Sequence, residues 1–489
     1  MTQQPRIRGW VLIGLLAGPF LTMVDSSIVN VGLPAISSSL NSSLENAQWV
    51  ASAYLLSLGL TLAFVADGAK RWGSLLLYTV SLIGFTVFSG LSALAPSLPW
   101  LVTARVVQGV FGGPLVPLAM NMMFGGDGHA QKQMPAMAGM VLFLAPAIAP
   151  ALGGVLIHWG GWPLIFLVNV PVGVMALLGV LHIPPELGEL PQAIVPRFDS
   201  VGFVGLAAAL TAVTYGAVEG PQLGWLAVGV WPTSGLLLLI AYGYWARHRH
   251  HPIVNVSLLA NRQAVLALSL SALVSTVTFA VIFLVPVFMQ SIQGRTPLVA
   301  GLTLLPQGLV TGVGAMIGNQ LPHRWGSRST ILLGMTLLTA STLALYAVTI
   351  TTAAWVMSFF MIGRGFAIGL VIQPLLNGLM GGLPANQVPD GTTLFNIVER
   401  VGGTLGIGLL VSLFTAREKA RMQKVVLHLH LSSAQVLAAV NHPRHASAGV
   451  VHFVQSAETA GFHDVIAVIA GISLVGLVLA MAMQPLKGE

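Results

Sequence analysis

Apolar residues gather in long runs bounded by charges, Pro/Gly pairs or polar clusters. A helix needs about 20 residues to cross the hydrocarbon core of a bilayer. Runs of that length lie near 10–34, 47–67, 74–95, 99–124, 135–157, 163–183, 198–218, 224–246, 263–290, 298–320, 329–350, 353–378, 391–415 and 462–484. The pattern predicts fourteen membrane-spanning helices. The first run follows Arg6 and Arg8 as a signal peptide would, but it is too long, carries Asp25 and lacks a clear small-residue cleavage site. It is expected to stay as an uncleaved span.

Composition sharpens the class. Only 7% of the 489 residues are charged while 55% are hydrophobic, whereas globular domains carry roughly 25% charged residues. The solvent around most of this chain is therefore lipid, which excludes a soluble enzyme, a nucleic-acid-binding module and a disordered protein. The net charge of +7 would otherwise raise nucleic acid as a partner. Its Lys and Arg residues are scattered singly or in pairs between apolar runs and read as topology determinants. With no cysteine in the chain, disulfides, thiolate zinc sites and cysteine nucleophiles are ruled out.

An even number of spans puts both termini on one side, and the charges select it. A cytoplasmic N-terminus places Arg6, Arg8, Lys70, Arg71, Lys132, Arg197, Arg247, Arg249, Arg262, Arg324, Arg328 and Lys487 inside, with Arg295 in a short outer loop. That asymmetry follows the positive-inside rule. A short repeat supports the layout. Lys70-Arg71-Trp72-Gly73-Ser74 follows the second run and His323-Arg324-Trp325-Gly326-Ser327 follows the tenth. Duplicated halves are usual in secondary transporters. The expected organisation is an all-α integral membrane protein: a six-helix bundle over 1–183, two additional helices within a linker at 184–262, and a second six-helix bundle over 263–489 with a long outer loop near 416–461.

Five motifs occur in order. The first span contains Val24-Asp25-Ser26-Ser27-Ile28-Val29-Asn30-Val31-Gly32-Leu33-Pro34, and the second opens Gln48-Trp49-Val50 and continues to Tyr54-Leu55. The fourth carries Arg105-Val106-Val107-Gln108-Gly109 with Gly112, the fifth Ala149-Pro150-Ala151-Leu152-Gly153-Gly154, and the sixth Phe166-Leu167-Val168-Asn169-Val170-Pro171-Val172-Gly173. Through these motifs the chain resembles the fourteen-span drug:proton antiporters of the major facilitator superfamily, of the EmrB/QacA type. The resemblance covers essentially the whole chain. It implies the major facilitator fold, proton-coupled efflux of amphiphilic or cationic small molecules, and a bacterial cytoplasmic membrane location. It also implies a periplasmic membrane-fusion adaptor and an outer-membrane channel as partners. The superfamily's loop motif has Lys70 in place of an acidic residue, aligned through Arg71 and Gly73. In span thirteen, Asn396, Gly402 and Gly403 match the family pattern, but Glu399 takes the position of an arginine and Arg400 follows it.

A charge near the bilayer centre costs at least about 2.5 kcal/mol, so each one needs a reason. Asp25 lies roughly 12 Å and Arg105 roughly 9 Å below the outer ends of their spans at 1.5 Å per residue, so the two can meet. The resemblance implies proton exchange at Asp25, with Arg105 stabilising the ionised form and Gln108 sharing its face. Alternatively, Asp25 only holds its helix by hydrogen bonds and Arg105 is a structural ion-pair partner. Glu399 is a second proton or cation site, or it forms a local salt bridge with Arg364 or Arg400. Gly109, Gly112, Pro150, Gly153 and Gly154 allow close, bent helix packing, for gating at the fifth-span motif or for ordinary membrane packing.

The remaining polar features carry less. His248, His250 and His251 adjoin Arg249 and read as an interfacial anchor, and the histidines of the outer loop lack a compact zinc pattern. No metal and no cofactor is expected. In the outer loop Met422, Val425, Val426 and Leu429 repeat at helical spacing, and Ser432 to Gln435 reads as a capping box opening a second helix. Such a segment covers the cavity mouth, docks a partner or lies on the bilayer. No G-x-x-x-x-G-K-[ST] loop is present, so ATP is not the direct energy source. An enzyme or receptor would need a nucleophile with a positioned base, or a sizeable soluble domain, and the sequence offers neither. The rival within transport is a proton-coupled exporter of one endogenous metabolite, such as a siderophore or fatty acid.

Overall fold

The computed structural model describes residues 9–124, 136–184, 198–249, 251–381, 383–384, 387–429 and 448–484. Every regular element among them is a helix. The long ones are numbered here α1 (Gly9–Ser39), α2 (Trp49–Trp72), α3 (Ser74–Ala93), α4 (Leu98–Gly112), α5 (Ala136–Gly160), α6 (Asn169–Val180), α7 (Ser200–Leu223), α8 (Trp225–Arg247), α9 (Arg262–Val287), α10 (Pro297–Gln320), α11 (Ser327–Ala344), α12 (Ala354–Gly381), α13 (Val388–Leu429) and α14 (Ala448–Met481). Short helices extend several of them; Leu115–Phe124 prolongs α4. Among the described residues, 11 helices are long and apolar enough to cross a membrane, and two shorter apolar helices lie at Leu144–Gly160 and Leu164–Val180. The protein is a multi-pass membrane protein.

Local sequence sets the helix boundaries. Thr296 caps α10 through its side chain with Pro297 in the first turn, a position where the missing N–H costs nothing. The Asp199 and Asn261 side chains cap α7 and α9. The repeated W-G-S connectors break the chain in the same way. Gly73 has φ 83° and ψ 148°, and Gly326 has φ 80° and ψ 149°, a region that favours glycine. Ser89 and Thr342 each stand 16 residues beyond their connector glycine, so α3 and α11 keep one register.

The segment expected as a long outer loop is largely helical at its ends. α13 continues without a break to Leu429, and α14 already begins at Ala448. Its 42 residues make α13 about 63 Å long, twice the roughly 30 Å hydrocarbon core. Met422, Val425, Val426 and Leu429 fall on this extension. Arg421 holds it against α14 through Asp464 at 2.8 Å. The proposed capping box at Ser432 lies outside the described residues.

A buried ion pair as candidate functional site

Asp25 and Arg105 meet inside the first group of helices. Arg105 Nη1 donates to Asp25 Oδ2 at 2.5 Å, and both side chains are fully buried. Each neighbouring helix adds a partner. Arg105 Nη1 also reaches Gln108 Oε1 at 2.8 Å, and Arg105 Nε donates to the Val50 carbonyl of α2 at 3.1 Å. Asn169, the first residue of α6, donates to Asp25 Oδ1 at 3.0 Å and to the Ser89 hydroxyl of α3 at 3.0 Å. Ser89 in turn donates to the Phe166 carbonyl. The guanidinium lies 3.8 Å from the Tyr54 ring centroid and 5.4 Å from that of Phe166, a placement that favours a cation on an aromatic face.

This arrangement ties α1, α2, α3, α4 and α6 to one carboxylate. α1 runs to Ser39, beyond the expected end of its span, without preventing the meeting of Asp25 with Arg105. Tyr54, Ser89, Asn169 and Phe166 were not singled out for a role in the sequence, although Tyr54, Phe166 and Asn169 stand in its motifs. Their signal is a polar or aromatic side chain inside an apolar span, and that signal is common to many residues that only pack.

The second group of helices repeats the cation without the anion. Arg364 of α12 is fully buried. It donates to the Thr342 hydroxyl of α11, the register equivalent of Ser89, and to the Val277 carbonyl of α9 at 3.2 Å. Asp25 lies 48 residues before Gly73, and the residue 48 before Gly326 is Thr278. Among the described residues no carboxylate pairs with Arg364.

Glu399 forms neither of the salt bridges weighed from sequence; its carboxylate meets no partner among the described residues. The reason is depth. Glycines of α13 pack on α9, Gly402 against Ala272 and Gly406 against Thr276, which puts residue 407 level with Val277. Glu399 is then about 12 Å away along the axis. Arg400, about 100° round the helix, turns to α2 instead; a Cβ at Gly59 would be 3.0 Å from its Cβ.

The fifth-span motif sits where the two groups of helices touch. A Cβ at Gly153 would meet Ile28 of α1 at 2.8 Å, and one at Gly154 would meet the Pro297 carbonyl of α10 at 2.5 Å. Gly301 of α10 packs on the Pro150 carbonyl, and Gln290 donates to the Val31 carbonyl of α1 at 3.0 Å. These contacts lie at the end of the molecule where α1 finishes and α10 begins. Gly109 seats α4 against Ser57 and Tyr54 of α2, whereas Gly112 has only ordinary contacts. Lys70 is exposed in the last turn of α2, and Asp67 forms no ion pair among the described residues.

Two groups of helices with matched buried arginines and glycine-lined contacts between them define a comparison. The model of the Major Facilitator Superfamily matches residues 15–407. The chain belongs to that superfamily. It is 29% identical over 400 residues to the multidrug resistance protein B homolog of Mycobacterium tuberculosis, covering 80% of this chain and 73% of that one. It is 27% identical over 438 residues to the multidrug export protein EmrB of Escherichia coli, covering 86% and 83%. Among solved structures, a bacterial homolog of the human lysosomal transporter Spinster, described as inward-facing and unoccupied, shares the fold. That match has a TM-score of 0.67 at 15% identity, over 98% of this chain and 97% of the other.

Proposed function

We propose that this superfamily member is a proton-coupled multidrug antiporter of the bacterial cytoplasmic membrane, with fourteen spans and both termini inside, that exports amphiphilic or cationic small molecules by alternating access. The observation that carries the reading is the fully buried Asp25–Arg105 pair. While Asp25 is ionised the pair is neutral. Protonation leaves the guanidinium uncompensated where water is scarce and Coulomb forces are strong, so a proton and a cationic substrate disfavour each other's presence. That mutual exclusion is the physical basis of exchange. In the proposed orientation, the contacts of Gly154 with Pro297 and of Gln290 with Val31 lie on the outer side, and the substrate enters from the cytoplasm. The outward extensions of α13 and α14 offer a surface to a membrane-fusion adaptor, which would pass substrate to an outer-membrane channel.

The test uses proteoliposomes with an imposed pH gradient and a panel of compounds. Asp25→Asn keeps the shape of the side chain but carries no proton, so its gradient-driven export should fall to the level of empty vesicles. Undiminished proton-coupled export by this variant would overturn the reading.

A further inference from the structure

α7 lies along the junction of the two groups of helices. The Ser412 hydroxyl of α13 donates to the Val218 carbonyl at 2.7 Å, and one residue on, the Trp49 indole N–H of α2 donates to Glu219 Oε1 at 2.6 Å. Glu219 is the only charged residue between Ser200 and Leu223. It is half-buried, and among the described residues it forms no ion pair.

Aromatic rings line one side of it. Tyr215, one turn earlier on the same face of α7, lies 6.1 Å from Trp49 and 4.9 Å from Trp231 of α8, centroid to centroid. Gly216 makes that packing possible, because a Cβ there would be 2.6 Å from Trp231 Cβ and 2.5 Å from Pro232 Cδ. Trp231 is 40% exposed, so the row of rings opens to the surroundings. A brace between α2 and α7 needs only a neutral acceptor, as Val218 provides for Ser412. A carboxylate in an apolar helix carries an additional cost, which a visiting cation offsets.

The chemistry selects the visitor. A hard metal ion takes six or more oxygens, and this cluster presents one carboxylate among rings. Aromatic faces attract cations spread over an organic body. We propose that Glu219, Trp49, Tyr215 and Trp231 form a peripheral binding site for organic cations carried on apolar bodies, where α2, α7 and α8 meet. The inference rests on the export function proposed above; with Glu219 near the end of α7 and Trp49 opening α2, the site holds cationic substrates on the outer side, on their way out. The same chemistry is offered by an aminophospholipid headgroup, and the experiment separates the two sources.

Full-length protein in phosphatidylglycerol nanodiscs is titrated with tetraphenylphosphonium and, as the neutral control, triphenylphosphine oxide. Glu219→Gln should weaken the cation about tenfold, which corresponds to about 1.4 kcal/mol, and leave the neutral compound unchanged. Trp231→Leu should weaken the cation about threefold, and Trp231→Phe should restore most of it because a ring face remains. Thermal unfolding of each variant confirms that it is folded. Equal cation affinity in wild type and Glu219→Gln overturns the site even where wild type exports cations. Weakened binding in Glu219→Gln supports the site even where wild type shows no gradient-driven export, so the two readings fail separately. If phosphatidylethanolamine in the nanodisc displaces the cation from wild type, and Glu219→Gln abolishes that competition, the cluster is a headgroup site and the substrate-site reading is overturned.

Discussion

Arg105 and Arg364 occupy corresponding places in the two halves, yet their surroundings differ in one respect that matters. Arg105 faces a carboxylate, and Arg364 faces a hydroxyl and a carbonyl. The framework of α3 and α11 survives in register, including a hydroxyl at the equivalent position: Ser89 reaches Asp25 through Asn169 on one side, and Thr342 meets the Arg364 guanidinium directly on the other. What has not been kept on both sides is the group that can bind a proton. The comparison teaches that the buried carboxylate at this depth lies in the first half, while the second half sets a buried arginine against neutral acceptors.

The largest expected effect breaks the first half. Arg105→Gln leaves Asp25 buried without its counter-charge, and removal of one partner of a buried pair costs about 3–5 kcal/mol. Thermal unfolding in detergent should register that loss, and the double variant Asp25→Asn with Arg105→Gln should recover most of it without recovering proton-driven export. A much smaller change is expected from Arg364→Met, less than about 1 kcal/mol, because it removes an uncompensated buried cation together with two bonds to neutral acceptors. A destabilisation by Arg364→Met as large as that of Arg105→Gln would dissolve the contrast between the halves.

Glu399 supplies the smallest effect on stability and a selective effect on transport. With no partner for its carboxylate among the described residues, Glu399→Gln should shift stability by no more than about 0.5 kcal/mol, in the range of substitutions that break no specific contact. If the carboxylate attracts cations, export of cationic compounds should fall while that of neutral compounds holds, and Glu399→Arg should be worse for cations than Gln. If it carries a proton, both classes should fall together with the proton-to-substrate ratio. Equal transport of both classes by all three proteins would remove Glu399 from the mechanism.

Much of this is legible in the sequence. Long apolar runs cannot be hidden from water by a soluble fold, so the spans showed in hydropathy alone, and Asp25 and Arg105 stood out because charges in such runs are costly. Other features left no such mark. The extension of α13 past Arg417 is polar and charged, without the apolar run by which spans are recognised; the helical spacing of Met422, Val425, Val426 and Leu429 marks a helix there but not its unbroken continuity with the span. Glu219 escaped because the seventh run ends at 218, which made the carboxylate look like a boundary residue. Its meaning comes from Trp49, 170 positions away in the chain. That Glu399 pairs with neither arginine could not be read either, since adjacency to Arg400 says nothing of which neighbouring helix each side chain meets.

The sequence by itself determined that this chain lives in a bilayer, that one connector occurs twice, and which residues carry charge at depth. Those conclusions follow from composition and spacing, which act through solvation and need no knowledge of neighbours. Only the tertiary structure decided which charges meet: among the described residues, Asp25 with Arg105, Arg364 with no carboxylate, Glu399 with neither arginine, and Glu219 with an indole. Hydrogen bonds and ion-pair contacts form only within about 4 Å. Whether two intramembrane groups interact therefore depends on helix rotation and relative depth, and these are fixed by glycine contacts such as Gly402 on Ala272 and not by position in the chain.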